Sequence, residues 1–478
     1  MRLPVVALAL LLGCSNPESG FRNYSVVLIV IDSLRARDLG CYGSARDTSS
    51  FLDSLAREGV VFSRASSTSS YTRESVTSLL TGKLPSSGGG TGWNAMPHEA
   101  SDHLAERFQA SGYRTGFVSN SLMIRGSGFQ RGFDVAEFPG RNQFASGGGE
   151  TLSDTALDFV RKAPDEKFFL YLHYLDPHGP YHPDAAYVAK LDGSLHPRPL
   201  KLYGEVREHC SELRKQGFAP GEEQFDDLKL RYDAEIASTS EAIRRLLDGL
   251  ESMGALDRTL VIVTSDHGEE FLEHGYVEHA WTLYEESIHV PLILWAPGRL
   301  APQRVDAGVS LVDLMPTLLA LFEWPADDSD GRPLFEYTDD SWTAISSQAP
   351  RFAELQIQTR NLLRSVTLGD WKYIAAQRWL SDAMREQAVR EKRAGDLPAE
   401  NFTPIDPWAP VTREELYDLA ADPGESRNLA GQEVAQLERM RALMQTHRAR
   451  AKNAPAATAR GLEFSDEELL ELEALGYH

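Results

Sequence analysis

The sequences VVLIVID (Val26–Asp32) and TLVIVTSDHG (Thr259–Gly268) decide the fold of this chain. Each starts with a continuous apolar, mostly β-branched run and ends in polar residues that favour a turn. Such runs predict parallel strands that are buried on both faces of an α/β sheet. Sheets of this kind bind ligands at the carboxyl ends of their strands. We therefore expect Asp32, Asp266 and His267 to lie close together at one edge.

Helix-like and strand-like segments alternate around these two runs. The pattern predicts a largely parallel sheet with helices on both faces. The glycine runs 88–90 and 147–149 predict loops, and the Pro-, Gly- and charge-rich residues 182–225 predict an insertion beside the site. The predicted helices are 51–58, 152–161 and 228–253, and the predicted strands are 114–119 and 168–175.

The last third of the chain has a different pattern. After about Asp340 the apolar runs become shorter and polar turns become frequent. Residues 451–459 form an Ala-rich, weakly patterned connector. Ser465 and the acidic residues that follow it have the spacing of a capping box, which predicts a final helix.

The composition fits a large core with a second, smaller domain, since 42% of the 478 residues are hydrophobic. The formal net charge of −22 argues against nucleic acid as a partner, because a phosphate backbone requires a basic surface. A small anionic ligand is not excluded, since it needs only local positive charge from a metal ion, His or Arg.

Residues 1–24 predict a leader and a tether outside the fold. Arg2 precedes a short apolar run, and the sequence LLGC that ends at Cys14 matches a bacterial lipobox, in which this cysteine carries the lipid. The alternatives are an ordinary signal peptide and a short buried segment. We expect a protein of the bacterial cell envelope that is lipid-anchored, periplasmic or at the outer membrane. Cys41 and Cys210 are expected to be free thiols.

The segment TRESVTSLLTG, Thr72–Gly82, supplies a hydroxyl group at the start of a helix predicted over 73–80. The free amides and the dipole at the amino end of a helix stabilise an alkoxide or an incoming anion. The Thr72 hydroxyl therefore lies where an alkoxide or a bound anion would be stabilised.

These segments and several others resemble the sulfatase family of the alkaline phosphatase superfamily. The resemblance runs in order from about Ser25 to the last residue. It implies an alkaline-phosphatase-like central sheet in a catalytic domain at 25–340, and a smaller domain with an antiparallel sheet at 341–478. The other similar segments are HYLDPHGPY (173–181), LYEESIHVPLILWAPG (283–298), LVDLMPTLLAL (311–321), GDWKYI (369–374), ELYDLAADPGESRNLA (415–430) and the terminal LEALGYH.

The resemblance implies one divalent cation, with Asp32, Thr72, Asp266 and His267 as its ligands. Many family members have two adjacent aspartates at the first position, whereas this chain has Ser33 after Asp32, so that one ligand is lacking. Calcium prefers oxygen ligands, whereas imidazole suits zinc and manganese. His267 thus argues against a purely calcium site, and Mn, Zn, Mg and Ca stay open.

A second metal ion is not predicted. Asp176, His182 and His274 offer donor atoms for one, but their spacing does not match that of phosphodiesterases with two zinc ions.

Thr72 is the main departure from the family pattern. Most sulfatases have Cys or Ser at this position, which is converted to formylglycine, within a pattern similar to C-x-P-S-R. Here Thr72, Glu74, Ser75 and Val76 take the corresponding positions. Threonine cannot give the aldehyde, so no formylglycine is expected, and a threonine ester must be cleaved by water or another acceptor. The alternative is that Thr72 only caps its helix in an inactive descendant.

The resemblance also implies polar residues around the reacting group. Transfer of a phosphoryl or sulfuryl group needs cations on the non-bridging oxygens and an acid at the leaving group. We predict His178 and His279 as catalytic residues, and Arg35, Arg73 and His173 as substrate-binding residues.

These features predict a metal-dependent hydrolase of sulfate or phosphate esters with Thr72 as its nucleophile. The expected substrate is a small anionic ester or the head group of a glycan or lipid. A phosphodiesterase or phosphoryl head-group transferase is one alternative, because the threonine suits phosphate at least as well as sulfate. A non-catalytic, anion-binding lipoprotein is the other.

Overall fold

The computed structural model describes residues 20–88, 92, 95–126, 128–139, 148–179, 181–191, 223–326, 328–338, 341–346, 348–357, 361–378 and 410–451. Cys14, Cys210 and the capping box at Ser465 lie outside these residues, as do most of the predicted insertion and connector. Cys41 is a free thiol. No helix in the described part of the chain is long and apolar enough to cross a membrane.

The described strands form one large sheet and three small ones. They are β1 (Ser25–Ile31), β2 (Val60–Ser66), β3 (Arg114–Ser119), β4 (Val135–Glu137), β5 (Phe168–Tyr174), β6 (Thr259–Thr264), β7 (Glu270–Phe271), β8 (Val277–Glu278), β9 (His289–Val290), β10 (Leu292–Trp295), β11 (Gln303–Ser310), β12 (Phe335–Thr338), β13 (Ser341–Ala344), β14 (Arg351–Ile357), β15 (Asn361–Leu368), β16 (Trp371–Arg378) and β17 (Arg413–Asp418).

Helices lie between most of these strands. The α-helices are α1 (Ser50–Glu58), α2 (Thr72–Thr81), α3 (Pro85–Gly88), α4 (Leu104–Ala110), α5 (Gly148–Arg161), α6 (Ala185–Leu191), α7 (Glu223–Ser252), α8 (Glu285–Ile288), α9 (Leu314–Leu321) and α10 (Val434–Ala451). Short 3-10 helices occupy Ala36–Asp38, Gly40–Tyr42, Leu122–Ile124, Leu256–Arg258 and Leu311–Asp313.

The large sheet has nine strands and is mostly parallel. Its order is β11-β2-β10-β6-β1-β5-β3-β4, and β9 pairs with β2. β1 is parallel to both β5 and β6, whereas β9 and β10 are the antiparallel members. A separate antiparallel sheet contains β14 to β17 in sequence order. This architecture confirms the predicted fold class.

The central position of β1 follows from its apolar sequence. All seven of its residues are buried. Val26, Leu28 and Val30 pack into a core on one face of the sheet, and Val27 and Ile29 pack into a second core on the other face. A strand without a polar face can only lie between two covering layers. This explains why the continuous run predicts a central strand.

The predicted elements agree with the structure within a few residues, with two exceptions. Gly148 and Gly149 open α5 and Gly88 ends α3, so the loops predicted at these glycines are wrong in part. The predicted insertion contains α6, whose Val188 packs on Leu230 and Ala234 of α7. This short helix was not predicted, because polar and proline-rich residues flank its few apolar positions.

Glu354 joins the small sheet to the rest of the molecule. It lies on β14 and is fully buried. Its carboxylate accepts hydrogen bonds from the amide and hydroxyl of Ser86 at 2.7 and 2.9 Å, from His447 Nε2 of α10 at 2.7 Å, and from Arg364 Nε at 3.3 Å. Burial alone would raise the pKa of Glu354, but His447 and Arg364 have a larger, opposite effect and hold it at about 2.

We expect Glu354→Gln to lower the free energy of unfolding by about 3 kcal/mol, because the buried guanidinium of Arg364 would lose its carboxylate partner. Urea denaturation measures this. The matched control is Glu241→Gln, which breaks an ion pair with Arg244 whose side chains are both 44% exposed. The control is expected to cost less than about 0.5 kcal/mol. Equal losses of unfolding free energy in the two variants would contradict the role of Glu354 as a buried link between the small sheet and the rest of the molecule.

The same carboxylate predicts a pH dependence. Since the folded-state pKa of Glu354 is depressed to about 2, its contribution is complete above the ordinary carboxyl pKa and is lost as the pH falls through the depressed value. The difference in stability between wild type and Glu354→Gln should therefore shrink as the pH is lowered from about 5 towards about 2. Denaturation at several pH values would show it, and a constant difference would refute it.

Candidate active site and metal centre

Three neighbouring strands deliver acidic and imidazole groups to one edge of the large sheet. Asp32 follows β1, His173 is near the end of β5, and Asp266 follows β6. Donor atoms of these three residues all lie within 4.8 Å of one another. His173 Nε2 is 3.1 Å from Asp32 Oδ2. All three side chains are fully buried.

A left-handed turn brings the two aspartates together. Ser33 has φ of 60°, which turns the chain sharply after Asp32. The Ser33 amide then donates to Asp266 Oδ1 at 3.3 Å, and the Ser33 hydroxyl donates to Asp32 Oδ1 at 3.1 Å. Ser33, which occupies the position of the lacking ligand, therefore bridges the two carboxylates.

The two carboxylates differ in their pKa. Burial raises the pKa of Asp32, but the neighbouring His178, His173 and His267 outweigh this and hold it below the ordinary value. Burial and the charge of Asp32 raise the pKa of Asp266 to about 7. Asp266 Oδ2 is buried and has no hydrogen-bond partner among the described residues. An orphaned oxygen beside a second carboxylate and imidazole nitrogens fits a divalent cation.

The Thr72 hydroxyl lies against His267. The distance from Thr72 Oγ1 to His267 Nε2 is 3.1 Å. His267 Nδ1 is 2.9 Å from the carbonyl oxygen of Gly268, which can only accept, so Nδ1 carries the proton and Nε2 has the lone pair. Burial lowers the pKa of His267 to about 4, which keeps the ring neutral. Nε2 is also 3.4 Å from Asp266 Oδ2 and 3.7 Å from Asp32 Oδ1.

Thr72 is the first residue of α2. The helix begins one residue earlier than predicted, after Tyr71, whose φ and ψ of −137° and 127° are extended. It ends at Gly82, which has φ of 65°. Every side chain of α2 is buried. The amino end of this ten-residue helix thus faces the acidic cluster from within the protein.

Gly268 permits the close approach of the next segment. A Cβ atom at this position would lie 2.1 Å from the carbonyl oxygen of Glu286. The Gly268 amide donates to Ser287 O at 2.8 Å, and the Glu269 amide donates to Glu286 O at 3.0 Å. The loop that carries Asp266 and His267 is therefore fixed by backbone hydrogen bonds.

His178 and His279 lie beside these groups. The ring of His279 is 4.2 Å from that of His267 and 4.9 Å from that of His178. His279 Nδ1 is 2.9 Å from Glu269 Oε1, and Glu269 Oε2 accepts a hydrogen bond from Tyr181 at 3.0 Å. Glu269 was not predicted from the sequence. An acidic residue two positions after His267, in a buried segment, is the signal that could have identified it.

His173 is contacted on its other side by Tyr171. The Tyr171 hydroxyl is 2.9 Å from His173 Nδ1, which fixes the orientation of the ring. The sequence predicts a substrate-binding role for His173. The structure brings it into the same group as Asp32 and Asp266.

The two predicted arginines have different surroundings. Arg35 pairs with Asp38 at 2.5 Å and with Glu273 at 2.6 Å, so two carboxylates compete for its guanidinium. Arg73 donates to the carbonyl oxygens of Ala95, at 2.9 Å, and Met123, and its Nη2 is buried without a hydrogen-bond partner among the described residues. Burial lowers the pKa of Arg73 to about 10. A substrate-binding role remains a prediction for both.

The chain is similar to proteins and structures of one family. The family model described as Sulfatase matches residues 25–324. An N-acetylglucosamine-6-O-sulfatase of Bacteroides thetaiotaomicron is 23% identical over 554 residues, covering 98% of this chain and 94% of that protein. A structure in complex with its substrate D-glucosamine-2-N,6-O-disulfate has a TM-score of 0.70 at 18% identity, covering 90% and 98% of the two chains. The phosphonate monoester hydrolase of Agrobacterium radiobacter has a TM-score of 0.66 at 19% identity, covering 93% and 98%.

We expect Asp266→Asn to melt at a higher temperature than wild type in the presence of a chelator, because it removes one of two like charges that lie buried together. It should also gain less stability from added Mn²⁺ or Zn²⁺, since a neutral amide binds these ions more weakly. Differential scanning fluorimetry measures both effects. Asp257→Asn, at an exposed position, is the control and should behave as wild type. A variant that melts lower and gains as much from the metal would contradict the site.

Proposed function

The chain belongs to the sulfatase family, and from this premise we propose that it is a metal-dependent hydrolase of sulfate or phosphate esters with Thr72 as its nucleophile. The contact of Thr72 Oγ1 with His267 Nε2, at the amino end of α2 and beside the Asp32, His173 and Asp266 group, carries the proposal. Its substrates would be small anionic esters, including esters of sugars. Relatives named for sulfate and for phosphonate esters support this class.

Asp32, Asp266 and His267 would hold the cation, together with Thr72, and His173 Nε2 is a further nitrogen donor beside them. A divalent cation bound there would lower the pKa of the threonine hydroxyl and would neutralise negative charge on the ester oxygens. Thr72 then loses its hydroxyl proton to water. Its Oγ1 attacks the phosphorus or sulfur atom. The bond from Oγ1 to that atom forms, and the bond to the leaving oxygen breaks.

His279 is the acid that the geometry favours for the leaving oxygen. Its Nδ1 is 2.9 Å from Glu269 Oε1, so this hydrogen bond orients the ring whose Nε2 would carry the transferred proton. His178 lies 4.9 Å from it, ring to ring. After the alcohol leaves, neutral His279 can take a proton from water, which attacks the threonine ester. That attack breaks the bond to Oγ1 and releases the inorganic anion.

Thr72 favours phosphate esters as substrates more strongly than family membership alone would. The threonine ester cannot collapse to an aldehyde, so its release depends on water attacking phosphorus or sulfur. Phosphodiester cleavage or head-group transfer is the second candidate function on the same grounds. The buried Nη2 of Arg73, next to Thr72 in sequence, is a cationic donor suited to an anionic ligand of either kind.

We expect Thr72→Ala to lower kcat/KM by at least about 1000-fold, because it removes the nucleophilic oxygen, while Thr72→Ser should keep measurable activity. Nitrophenyl sulfate, phosphate monoester and phosphodiester, each with Mn²⁺, Zn²⁺, Mg²⁺ or Ca²⁺, would identify the reaction. Thr77→Ala, five residues further along α2 and equally buried, is the matched control. Mass analysis of acid-quenched peptides should find the phosphoryl or sulfuryl group on Thr72. Unchanged turnover in Thr72→Ala would exclude it as the nucleophile.

Glu269→Gln should separate leaving-group protonation from structure. We expect kcat to fall by about 10- to 100-fold for alkyl or sugar esters, whose leaving oxygen needs a proton, and to change little for nitrophenyl esters. Comparison of the two substrate types in the same variant measures this. A structural defect would lower both rates equally, which would argue against Glu269 as a positioning residue for His279.

A further inference from the structure

A second group, of two buried acidic side chains and a partly buried imidazole, lies beside the loop of the candidate active site. Glu270 is on β7, His274 is in the turn between β7 and β8, and Glu286 is in α8. Donor atoms of these three residues lie within 4.8 Å of one another. The group shares no residue with the site at Asp32 and Asp266. Glu270 and Glu286 are buried, at 0% and 4% exposure.

The carboxylate of Glu270 is only partly satisfied. Its Oε1 accepts hydrogen bonds from Thr282 Oγ1 at 2.7 Å and from Ser287 Oγ at 3.2 Å. Its Oε2 is buried and has no hydrogen-bond partner in the part of the chain that the structure describes. A buried carboxylate oxygen without a partner is costly unless a cation binds it.

The hydrogen bonds of His274 direct a ring nitrogen into this group. Its Nε2 is 3.3 Å from the carbonyl oxygen of Glu425, which can only accept, so Nε2 carries a proton. Nδ1, the other ring nitrogen, contacts Glu286 Oε1. Burial lowers the pKa of His274, but the hydrogen bond and the charge of Glu286 outweigh this and raise it to about 9, so a bound cation would take the place of the Nδ1 proton. The ring also stacks on Tyr284 with centroids 3.6 Å apart, which fixes its plane. Imidazole ligands of metal ions commonly donate their second N–H to a carbonyl in this way.

The nearby lysine does not neutralise the group. Lys372 Nζ is 2.9 Å from Glu285 Oε1 and 2.9 Å from Glu425 Oε1, so two other carboxylates use its charge. Arg35 is paired with Asp38 and Glu273. Glu270 and Glu286 thus share the single positive charge of His274, which pairs with Glu286.

We propose that Glu270, His274 and Glu286 form a second divalent-cation site, for Zn²⁺ or Mn²⁺, separate from the candidate catalytic metal. Two carboxylates with one imidazole nitrogen suit these ions better than calcium. Because His274 also donates to Glu425, in the turn after β17, the ion would tie the β7–β8 hairpin and α8 to the carboxyl-terminal sheet. Its role is structural, and it extends the proposed function without depending on it.

Metal content measured by plasma mass spectrometry, after loading with Zn²⁺ or Mn²⁺ and dialysis, tests the site. We expect about two equivalents in wild type and about one in Glu270→Gln/Glu286→Gln. Asp32→Asn/Asp266→Asn should also keep about one, which makes the result independent of catalysis. Glu273→Gln, a carboxylate of the same hairpin that is paired with Arg35, should keep both ions. One equivalent in wild type, unchanged in Glu270→Gln/Glu286→Gln, would overturn the proposal.

Anomalous X-ray scattering from the loaded wild-type protein gives a second test that needs no variant. A peak among Glu270, His274 and Glu286 is expected at the absorption edge of the loaded metal. A peak at Asp32 and Asp266 with none at the second group would overturn the proposal even if the variants fail to fold.

Discussion

Two like charges held together inside the protein are the constraint on which the rest of the site depends. Asp32 and Asp266 follow neighbouring strands whose register aligns Val30 with Thr264, so the sheet itself brings their carboxylates together. Both side chains are fully buried. Imidazole rings, the Ser33 hydroxyl and backbone amides surround them, but these groups leave one oxygen of Asp266 unsatisfied. The surrounding loops thus enclose a position that suits a cation.

The departures from the family pattern in α2 have structural explanations in this chain. Glu74, where proline is expected, accepts hydrogen bonds from Ser69 Oγ at 2.6 Å, from the Gly92 amide at 2.6 Å and from the Gln356 amide at 3.2 Å. Burial raises the pKa of Glu74 to about 8. The residue connects the helix of the candidate nucleophile to β14. Val76, where arginine is expected, lies in the core, so that a guanidinium there would be buried among apolar side chains.

The fold and the site were predictable to different extents. The strands that contain Val26 and Thr259 are recognisable in the sequence as continuous apolar runs. The turn residues after them indicate the edge of the sheet at which the site lies. The partners of each site residue were not predictable, because they come from distant segments. His173 enters the acidic group through the parallel register of β5 with β1, and Glu269 meets His279 only because a hairpin folds back. Arg35 looks like an anion ligand in sequence, whereas two carboxylates contact it in the folded chain.

The burial of β1 on both faces has a further consequence for how this protein can change. A strand shared by two cores opens only when the whole domain unfolds, so its amide hydrogens belong to the slowest-exchanging class. Asp32 directly follows this strand and is therefore held rigidly as well. Evolution can therefore alter the surface loops that meet a ligand without disturbing the group that holds the charge. The candidate metal-binding group and the surface loops around it thus belong to parts of the molecule with very different local stability.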